Sequence, residues 1–515
     1  MRAEAIEIAW HDEASIWSVD CSRSGHRLVT AGGDKVARVW RYIENLHACL
    51  GLDSKICEQG NATPSNSSPE PCSRTFQQTD GQVKGVRPAV IEWLCDLSAH
   101  TTTVNIARFS PDGERIATAA DQGEIVLWYL GGPIDNDRDD KPRERWTQAH
   151  VIRGHSFDVL DLSWSPDGKQ LASASVDNSI RLWDTSNPKR LPANITHHDS
   201  LVQGVAFDPL SRFVASLGSD RALAVYSLAT SKSAVSAVAT TTDPKSYYFA
   251  SDTKCSTVFR RLAWSPDGSF LVCPSGLEIP NVVPCRYSIH IYSRGVWNSP
   301  ALQCTGFAKI PTAIAFCPVL FSKRHAPDKV DSCAEVPREE LFILPYRMIF
   351  AVACGDAVLI FDTESSSRPI AYLAGLHYAE VTDLTWGADG KALFVSSTDG
   401  CVSIVSFEDE ELGFPLPREK LPAWMRHDSS GQIDTPFRSS ALALEPVTPV
   451  DHSSCLENGD LRASTTPGGS FACETKQSAA SSGCYSGDVG DVVVVVPRRK
   501  QSNENAGTMG EISRR

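Results

Sequence analysis

Four residues near the middle of the chain have types and spacing that could do chemistry. They are His155, a serine at position 173 or 175, Asp177 and Trp183. A histidine that is hydrogen-bonded to both a carboxylate and a hydroxyl is the arrangement that activates a serine nucleophile. The same set can also serve a purely structural purpose, because polar groups buried inside a β-sheet core must find partners there.

The segment that carries these residues is one copy of a repeat, which decides between the two interpretations. Residues 153–184 read as Gly-His, a strand, an SPDG turn, the strand LASAS, an Asp turn and a strand that ends in Trp-Asp. Good copies lie at 100–128, 197–226 and 377–407, and degenerate copies fill the gaps. The aromatic residues that close the copies are Trp40, Trp128, Trp183, Tyr226, Tyr292, Phe361 and Phe407.

This unit is the WD repeat, and each copy forms a four-stranded blade. Seven copies predict an all-β fold, a seven-bladed WD40 β-propeller. Because the histidine, serine, aspartate and tryptophan pattern recurs along the chain, we interpret His155, Ser173, Asp177 and Trp183 as a structural tetrad and expect no enzyme activity. The last unit supplies only three strands, so the segment AIEIAWH near residue 5 is expected to pair with residues near 405 and close the ring.

The sequence predicts a propeller over 1–417 and a tail over 418–515. Inserts that we expect to be disordered lie at about 44–90, 131–145, 229–257 and 322–340. The tail is rich in Ser, Thr, Pro and Gly, and we expect it to be disordered as well. It carries 11 basic and 12 acidic residues, so 1–417 holds −12 of the total charge of −13.

Composition narrows the function further. An acidic surface favours basic partners over DNA or anionic membrane. The 16 cysteines are scattered singly, which is typical of a reducing compartment. We find no Walker A loop, HExxH motif, GxSxG elbow or zinc-type spacing, and therefore expect no cofactor and no metal. No signal peptide or membrane span is expected.

Several stretches resemble a known family beyond the generic repeat. They are EIAWHDEASIWSVD at the start, FRRLAWSPDGSFLVCPSG (259–276), LPYRMIFAVACGDAVLIFDTES (344–365), LAGLHYAEVTDLTW (373–386) and FEDEELGFPLP (407–417). They are similar to the middle WD-repeat subunits of chromatin assembly factor 1, a histone chaperone complex, and look most like the plant forms. The resemblance covers roughly 5–417 apart from the inserts.

The resemblance implies a nuclear complex with a large and a small subunit, which receives histones H3–H4 and deposits them on newly replicated DNA. It implies no direct DNA contact and no membrane contact. Chaperones of this kind bind a second, Asf-type histone chaperone through an Arg-Arg-Ile-x-Pro type motif. The tail offers only PRRKQ (497–501), a partial match.

Candidate partner contacts are charged or aromatic residues that the repeat does not explain. They are Arg260, Arg261, Tyr346, Arg347, Glu408, Asp409, Glu410, Glu411, Arg498 and Arg499. For each of the charged residues, the alternative is a solvated charge or a local ion pair. A valine run (492–496) precedes Arg498 in a motif at 492–500; it predicts either a strand added to a partner's sheet edge or a chance apolar patch.

Two other functions of a binding propeller stay open at this point. One is a histone escort that works outside replication, although such relatives carry a long C-terminal domain that is absent here. The other is the substrate receptor of a ubiquitin ligase. Blades of such receptors often end in WDxR, but Asp184 is followed by Thr185-Ser186 and Asp362 by Thr363-Glu364.

Overall fold

A computed structural model describes most of the chain up to residue 426 and a short segment of the tail. The described residues are 1–6, 10–24, 26–43, 90–134, 141–190, 192–195, 198–228, 235–240, 248–252, 257–278, 286–324, 342, 344–364, 368–426 and 493–495. Most of the predicted insert at 44–90, most of the tail, Arg498 and Arg499 lie outside these residues.

The described residues contain 29 strands and no α-helix. In chain order the strands are β1 (Arg2–Ile6), β2 (Ile16–Cys21), β3 (Arg27–Gly32), β4 (Ala37–Ile43), β5 (Val90–Leu97), β6 (Val104–Phe109), β7 (Arg115–Ala120), β8 (Glu124–Pro133), β9 (Glu144–Arg153), β10 (Val159–Trp164), β11 (Gln170–Ser175), β12 (Ile180–Asp184), β13 (Ala193–Ile195), β14 (Val202–Phe207), β15 (Phe213–Gly218), β16 (Leu223–Leu228), β17 (Val235–Thr240), β18 (Ala263–Trp264), β19 (Phe270–Leu277), β20 (Tyr287–Ser293), β21 (Leu302–Phe307), β22 (Pro311–Phe316), β23 (Ile349–Cys354), β24 (Ala357–Asp362), β25 (Ala371–Leu373), β26 (Val381–Trp386), β27 (Ala392–Ser397), β28 (Val402–Ser406) and β29 (Val493–Val495). Short 3₁₀ turns lie at Asp121–Gly123, Arg418–Lys420 and Ala423–Met425.

These strands form seven antiparallel sheets, which confirms the predicted seven-bladed propeller. Blades 1 to 6 begin with β2, β6, β10, β14, β18 and β22, and each takes the next three strands along the chain. Blade 6 has a fifth strand, β29, at its outer edge. Blade 7 consists of β26, β27, β28 and β1.

The ring closes by pairing its two ends, as predicted from the sequence. Strand β1 pairs antiparallel with β28, and the register sets Ala3 opposite Val405 and Ala5 opposite Ser403. This pairing removes the open edge that a three-stranded last blade would otherwise present. In that blade Val405 lies opposite Leu393, at the position that Trp183 has in blade 3. The predicted closing residue, Phe407, therefore lies just beyond the strand, where it stacks on Trp386.

Apolar seams between neighbouring blades hold the disk together. The buried hydrophobic residues of the described chain fall into seven clusters, one between each blade and the next around the ring. Each sheet is covered on both faces, so its strands are almost continuously buried and their residues are mostly apolar or small. At the seam between blades 7 and 1, Tyr42 meets Phe394 edge-on with ring centroids 5.0 Å apart.

A β-bulge recurs at the same place in six of the blades. In blades 1, 2, 3, 4, 6 and 7 the register between the innermost strand and the next one shifts after the first pair. Asn105 and Thr382 are two of the bulged residues. A bulge leaves its extra residue outside the strand ladder and turns it in a new direction. In this fold the bulges lie on the innermost strands, so their free backbone groups surround the axis of the ring.

Parts of the predicted inserts are ordered strands, which corrects the boundaries given by composition. Of the insert at 131–145, β8 includes residues up to Pro133 and β9 begins at the buried Glu144. The insert at 229–257 contains β17, the outer strand of blade 4. Of the insert at 322–340, Ser322 donates a backbone hydrogen bond to Phe414. Polar composition therefore did not separate surface loops from the outer strands, which have one edge in solvent.

Candidate functional site: buried polar networks and an acidic exit

The structure brings the four residues of the blade 3 tetrad together. His155 Nδ1 lies 2.9 Å from Asp177 Oδ2, and His155 Nε2 lies 2.6 Å from Ser173 Oγ. Trp183 Nε1 donates to the same Ser173 oxygen at 2.8 Å. Ser175, the other candidate serine, donates instead to the Phe157 carbonyl. Proton positions follow from this pattern, since the tryptophan can only donate and the carboxylate can only accept.

The tetrad has the groups of a catalytic triad without their accessibility. The side chain of His155 and the whole of Ser173 are fully buried. Burial of Asp177 would raise its pKa, but hydrogen bonds from His155 and Ser179 hold that pKa well below its usual range. Burial also lowers the pKa of His155. The arrangement is thus a neutral histidine beside an ionised aspartate, linking two strands, with no room for a substrate at the serine.

The same network occurs in blade 1, where the sequence analysis recognised only two of its four members. His11 bonds to Asp34 at 2.7 Å and to Thr30 at 2.8 Å, and Trp40 donates to Thr30 at 2.9 Å. The histidine was missed because it precedes the turn aspartate by 23 positions rather than the 22 seen in blade 3. Blade 4 also pairs a histidine with its aspartate and serine, at 2.9 and 2.8 Å.

The remaining blades have partial versions of the tetrad. In blade 2, His100 bonds to Thr118, while Asp121 accepts from Asn105 instead of the histidine. In blade 7, His377 pairs with Asp399 at 3.1 Å, but its Nε2 has no hydrogen-bond partner among the described residues. In blade 6 a lysine replaces the histidine, and an ion pair of 2.8 Å joins Lys309 to Asp356. Graded loss of the pattern is typical of a structural element.

A second polar network fills the axis of the ring. Arg261 of blade 5 donates to the Thr382 carbonyl at 2.5 Å and to the Asn105 carbonyl at 3.5 Å, which are the bulge residues of blades 7 and 2. Its guanidinium also lies 3.8 Å from Asp161 of blade 3 and 3.7 Å from Asp383 of blade 7. One side chain therefore joins blade 5 to three other blades through its charge and its donors.

Arg108 supports this axial network from blade 2. Its Nη1 lies 2.8 Å from Asp383 and also donates to the Val19 carbonyl of blade 1. Asp20, which accepts from the Phe109 amide at 2.8 Å, completes the cluster. Burial raises the pKa of Asp20 to about 6, although the positive charge of Arg108 opposes the shift. The cluster thus contains a carboxylate that is close to protonation near neutral pH.

Four of the residues predicted to contact a partner are instead buried inside the propeller. Arg260 is 1% exposed and pairs with Asp252 at 3.0 Å, and Arg261 belongs to the axial network. Arg347 is 0% exposed; it pairs with Asp362 at 2.5 Å and donates to the Leu412 carbonyl. Tyr346 donates to Asp267 at 2.7 Å. These contacts hold blades and connections in place and leave no surface for a partner, so we correct the prediction for all four.

The acidic exit, Glu408 to Glu411, is exposed as a partner contact must be. All four residues lie at the surface after the last blade. Lys391 pairs with Asp409 at 2.6 Å, and the amino group of Met1 pairs with Glu411. The chain that follows is anchored, because Ser322 donates to Phe414 and Leu416 donates to Leu320 through the backbone. The Phe414 side chain remains 61% exposed beside the acids.

Two further searches of the described residues bear on function. They contain no group of three or more His, Cys, Asp or Glu that could hold a metal ion. No helix within them has the length and apolar character needed to span a membrane.

Comparison with known proteins gives a consistent family. The model of the CAF1B/HIR1 beta-propeller domain matches residues 82–412, and that of the WD domain, G-beta repeat, matches residues 6–41. The B-type chromatin assembly factor 1 protein of Gallus gallus is 35% identical over 438 residues, 81% of this chain and 69% of that protein. The chromatin assembly factor 1 subunit FAS2 homolog of Oryza sativa subsp. japonica is 35% identical over 439 residues, 81% of this chain and 74% of that protein. Protein HIR1 of Yarrowia lipolytica is 28% identical over 460 residues, 84% of this chain but 40% of that protein.

Proposed function

The chain belongs to the CAF1B/HIR1 β-propeller family, and from this premise we propose that it is a scaffold subunit of a histone chaperone complex of the chromatin assembly factor 1 type. In this role it helps to deposit H3–H4 on newly replicated DNA in the nucleus. The observation that carries the proposal is 35% identity to subunits of that complex over four-fifths of the chain.

A non-catalytic role agrees with the way the polar side chains are used. The groups that could do chemistry, such as His155 and Ser173, are buried and hydrogen-bonded within a blade. Arg261 and Asp383 are equally buried at the axis. A rigid disk whose tetrad and axial groups are engaged internally can act through its surface, where it binds other proteins.

The surface charge favours a basic partner. Residues 1–417 carry a net charge of −12, and the acidic exit adds a local concentration of exposed carboxylates. Opposite charges raise the rate of encounter and help to select the correct partner. We therefore propose histones H3–H4 as one partner, and the large and small subunits of the complex as the others. An Asf-type chaperone is a further candidate for Arg498 and Arg499, while direct contact with DNA or membrane is not part of the proposal.

Reconstitution tests the proposal directly. The full chain should co-purify with the large subunit, the small subunit and H3–H4, and the assembled complex should deposit histones on replicating plasmid DNA. If the chain associates with neither the large subunit nor the histones, the proposal is wrong.

Charge reversal tests the acidic exit as a contact. We expect Glu408→Lys with Glu410→Lys to weaken binding of H3–H4, or of whichever protein of the complex contacts this surface, with the largest effect at low salt. A matched control is Glu114→Lys with Glu419→Lys, which makes the same change in net charge at exposed positions elsewhere. Equal loss of binding in both variants would show a dependence on total charge alone, and would remove the acidic exit from the proposal.

A second candidate is histone escort independent of replication. It is favoured by the family model, which includes HIR1 proteins, and by the similarity to HIR1 of Yarrowia lipolytica. The chain covers 40% of that protein but 69–74% of the two chromatin assembly factor relatives, which makes it the weaker candidate. Plasmid assembly assays with and without DNA synthesis distinguish the two functions.

A further inference from the structure

The outer edge of blade 6 differs from the other outer edges of the described propeller. It pairs with a fifth strand, whereas each of the other sheets has four. The fifth strand is β29, from the valine run that the sequence analysis associated with a partner's sheet edge. Its backbone runs parallel to β25, with Ala371 opposite Val493, Tyr372 opposite Val494 and Leu373 opposite Val495.

The sequence of β25 permits a strand to join it. The outer strands of blades 1 and 2 carry charged residues, among them Glu92 and Arg153, and charges of this kind discourage pairing at a sheet edge. Strand β25 has the sequence AYL, without a charge, and the valine run is also uncharged. Strand addition relies on backbone hydrogen bonds, with β-branched side chains favouring the extended conformation.

Covalent linkage explains why such a short pairing can persist. Three residues on each strand form few hydrogen bonds, so a free segment of this length would bind weakly. The valine run is joined to the propeller by the 66 residues between Arg426 and Val493, which keeps its effective concentration in roughly the millimolar range. A long connection is also what a parallel pair requires, because a tight hairpin can join only antiparallel strands.

We propose that the outer edge of blade 6 is a strand-acceptor site for an extended, uncharged, β-branched segment in parallel orientation, and that its occupant is the valine run of the same chain. The valine run thereby ties the far part of the tail to the propeller. An extended segment from another protein can use this edge only after displacing it.

Cysteine cross-linking in the full chain tests the proposed register. Tyr372→Cys with Val494→Cys sets two thiols on directly opposed residues, at a separation that a disulfide can span. The matched control is Thr147→Cys with Val494→Cys, which uses an exposed position on the outer strand of blade 2. Under mild oxidation we expect the 372–494 link to form at least about tenfold faster than the 147–494 link. Mass spectrometry of peptides separates these links from those of the native cysteines.

Three results of this experiment are distinguishable. A 372–494 link within one chain supports the proposal. The same link found only in covalent dimers assigns the edge to a second copy and overturns the choice of occupant. Equal rates for the two pairs overturn the pairing itself.

Hydrogen exchange provides a second measurement that needs no cysteine. Val494→Pro removes a backbone donor from the middle of β29, and Ser478→Pro places the same residue elsewhere in the tail. We expect amides of Ala371–Leu373 to exchange at least about tenfold faster in Val494→Pro than in wild type, and Ser478→Pro to match wild type. No difference between the two variants contradicts occupancy by the valine run.

Discussion

Replacement of Arg261 by methionine tests the role of the axial network. Methionine keeps much of the length and apolar stem of the side chain and removes its charge and its donors. The change leaves the carbonyls of Asn105 and Thr382 without this donor, and it removes the cation beside Asp161 and Asp383. All of these groups are buried, so water cannot replace the lost contacts without opening the ring.

The expected cost is large for a single substitution. Removing one partner of a buried ion pair typically destabilises a protein by about 3–5 kcal/mol, and we take about 4 kcal/mol for Arg261→Met. Unfolding entropy of about 2.1 cal/mol/K per residue gives a cooperative unit of roughly 400 residues about 0.8 kcal/mol per degree. Arg261→Met should therefore lower Tm by about 5 °C.

Differential scanning calorimetry with a matched control checks this value. Arg153→Met removes an exposed arginine that pairs with Glu124 at the surface, and it should change Tm by less than about 1 °C. Adding Asp161→Asn to Arg261→Met should recover part of the loss, because one uncompensated carboxylate disappears. If Arg261→Met behaves like Arg153→Met, or if it abolishes association with the rest of the complex while Tm is unchanged, the axial assignment is wrong and Arg261 is a partner contact.

Three further outcomes follow from the described contacts. Asp177→Asn should destabilise the protein by about 2 kcal/mol at pH 7. The difference should shrink as the pH falls below 3.8, because a depressed pKa stabilises the fold only while the carboxylate is ionised; urea titrations at several pH values measure this. Asp20 has the opposite sign: its raised pKa favours the fold fully below pH 3.8, and this contribution is lost as the pH rises through about 6. Asp20→Asn should therefore flatten the pH dependence of stability between about pH 4 and 7 in the same titrations, and an unchanged slope would rule out Asp20 as its source. Gly204→Ala should prevent stable folding or lower Tm by more than about 5 °C, because the added Cβ would collide with the Arg260 carbonyl, whereas Gly33→Ala has space for the methyl group and should shift Tm little.

The propeller could be predicted from sequence because its signals are local and repeated. The turn aspartate follows its histidine by 22 positions in blades 3, 4 and 7, so several copies can be aligned by eye. The SPDG turn is equally local, since Ser165 donates to Asp167 within the turn itself and Gly168 adopts a positive φ of 65°. Ring closure was predictable as well, because a last blade with three strands requires a fourth.

The buried arginines could not be predicted, since their environment depends on distant parts of the chain. Arg261 lies beside Asp161 and Asp383, 100 and more positions away, and all three meet only when the ring is complete. An arginine at the start of a strand gives no local sign that it faces the axis rather than solvent. The incomplete tetrad of blade 7 was similarly hidden, because only the strand register shows that Val395 occupies the position of Ser173.

The closure of blade 7 has a consequence for synthesis of the protein on the ribosome. Strand β1 is made first, yet its partner β28 follows about 400 residues later, which at 5–20 residues per second is a delay of roughly 20–80 s. During that time β1 presents unpaired backbone groups, and blade 1 has no neighbour on one side. A newly made chain therefore needs protection of its first strand, and a ribosome-bound or Hsp70-type chaperone that holds extended segments would provide it.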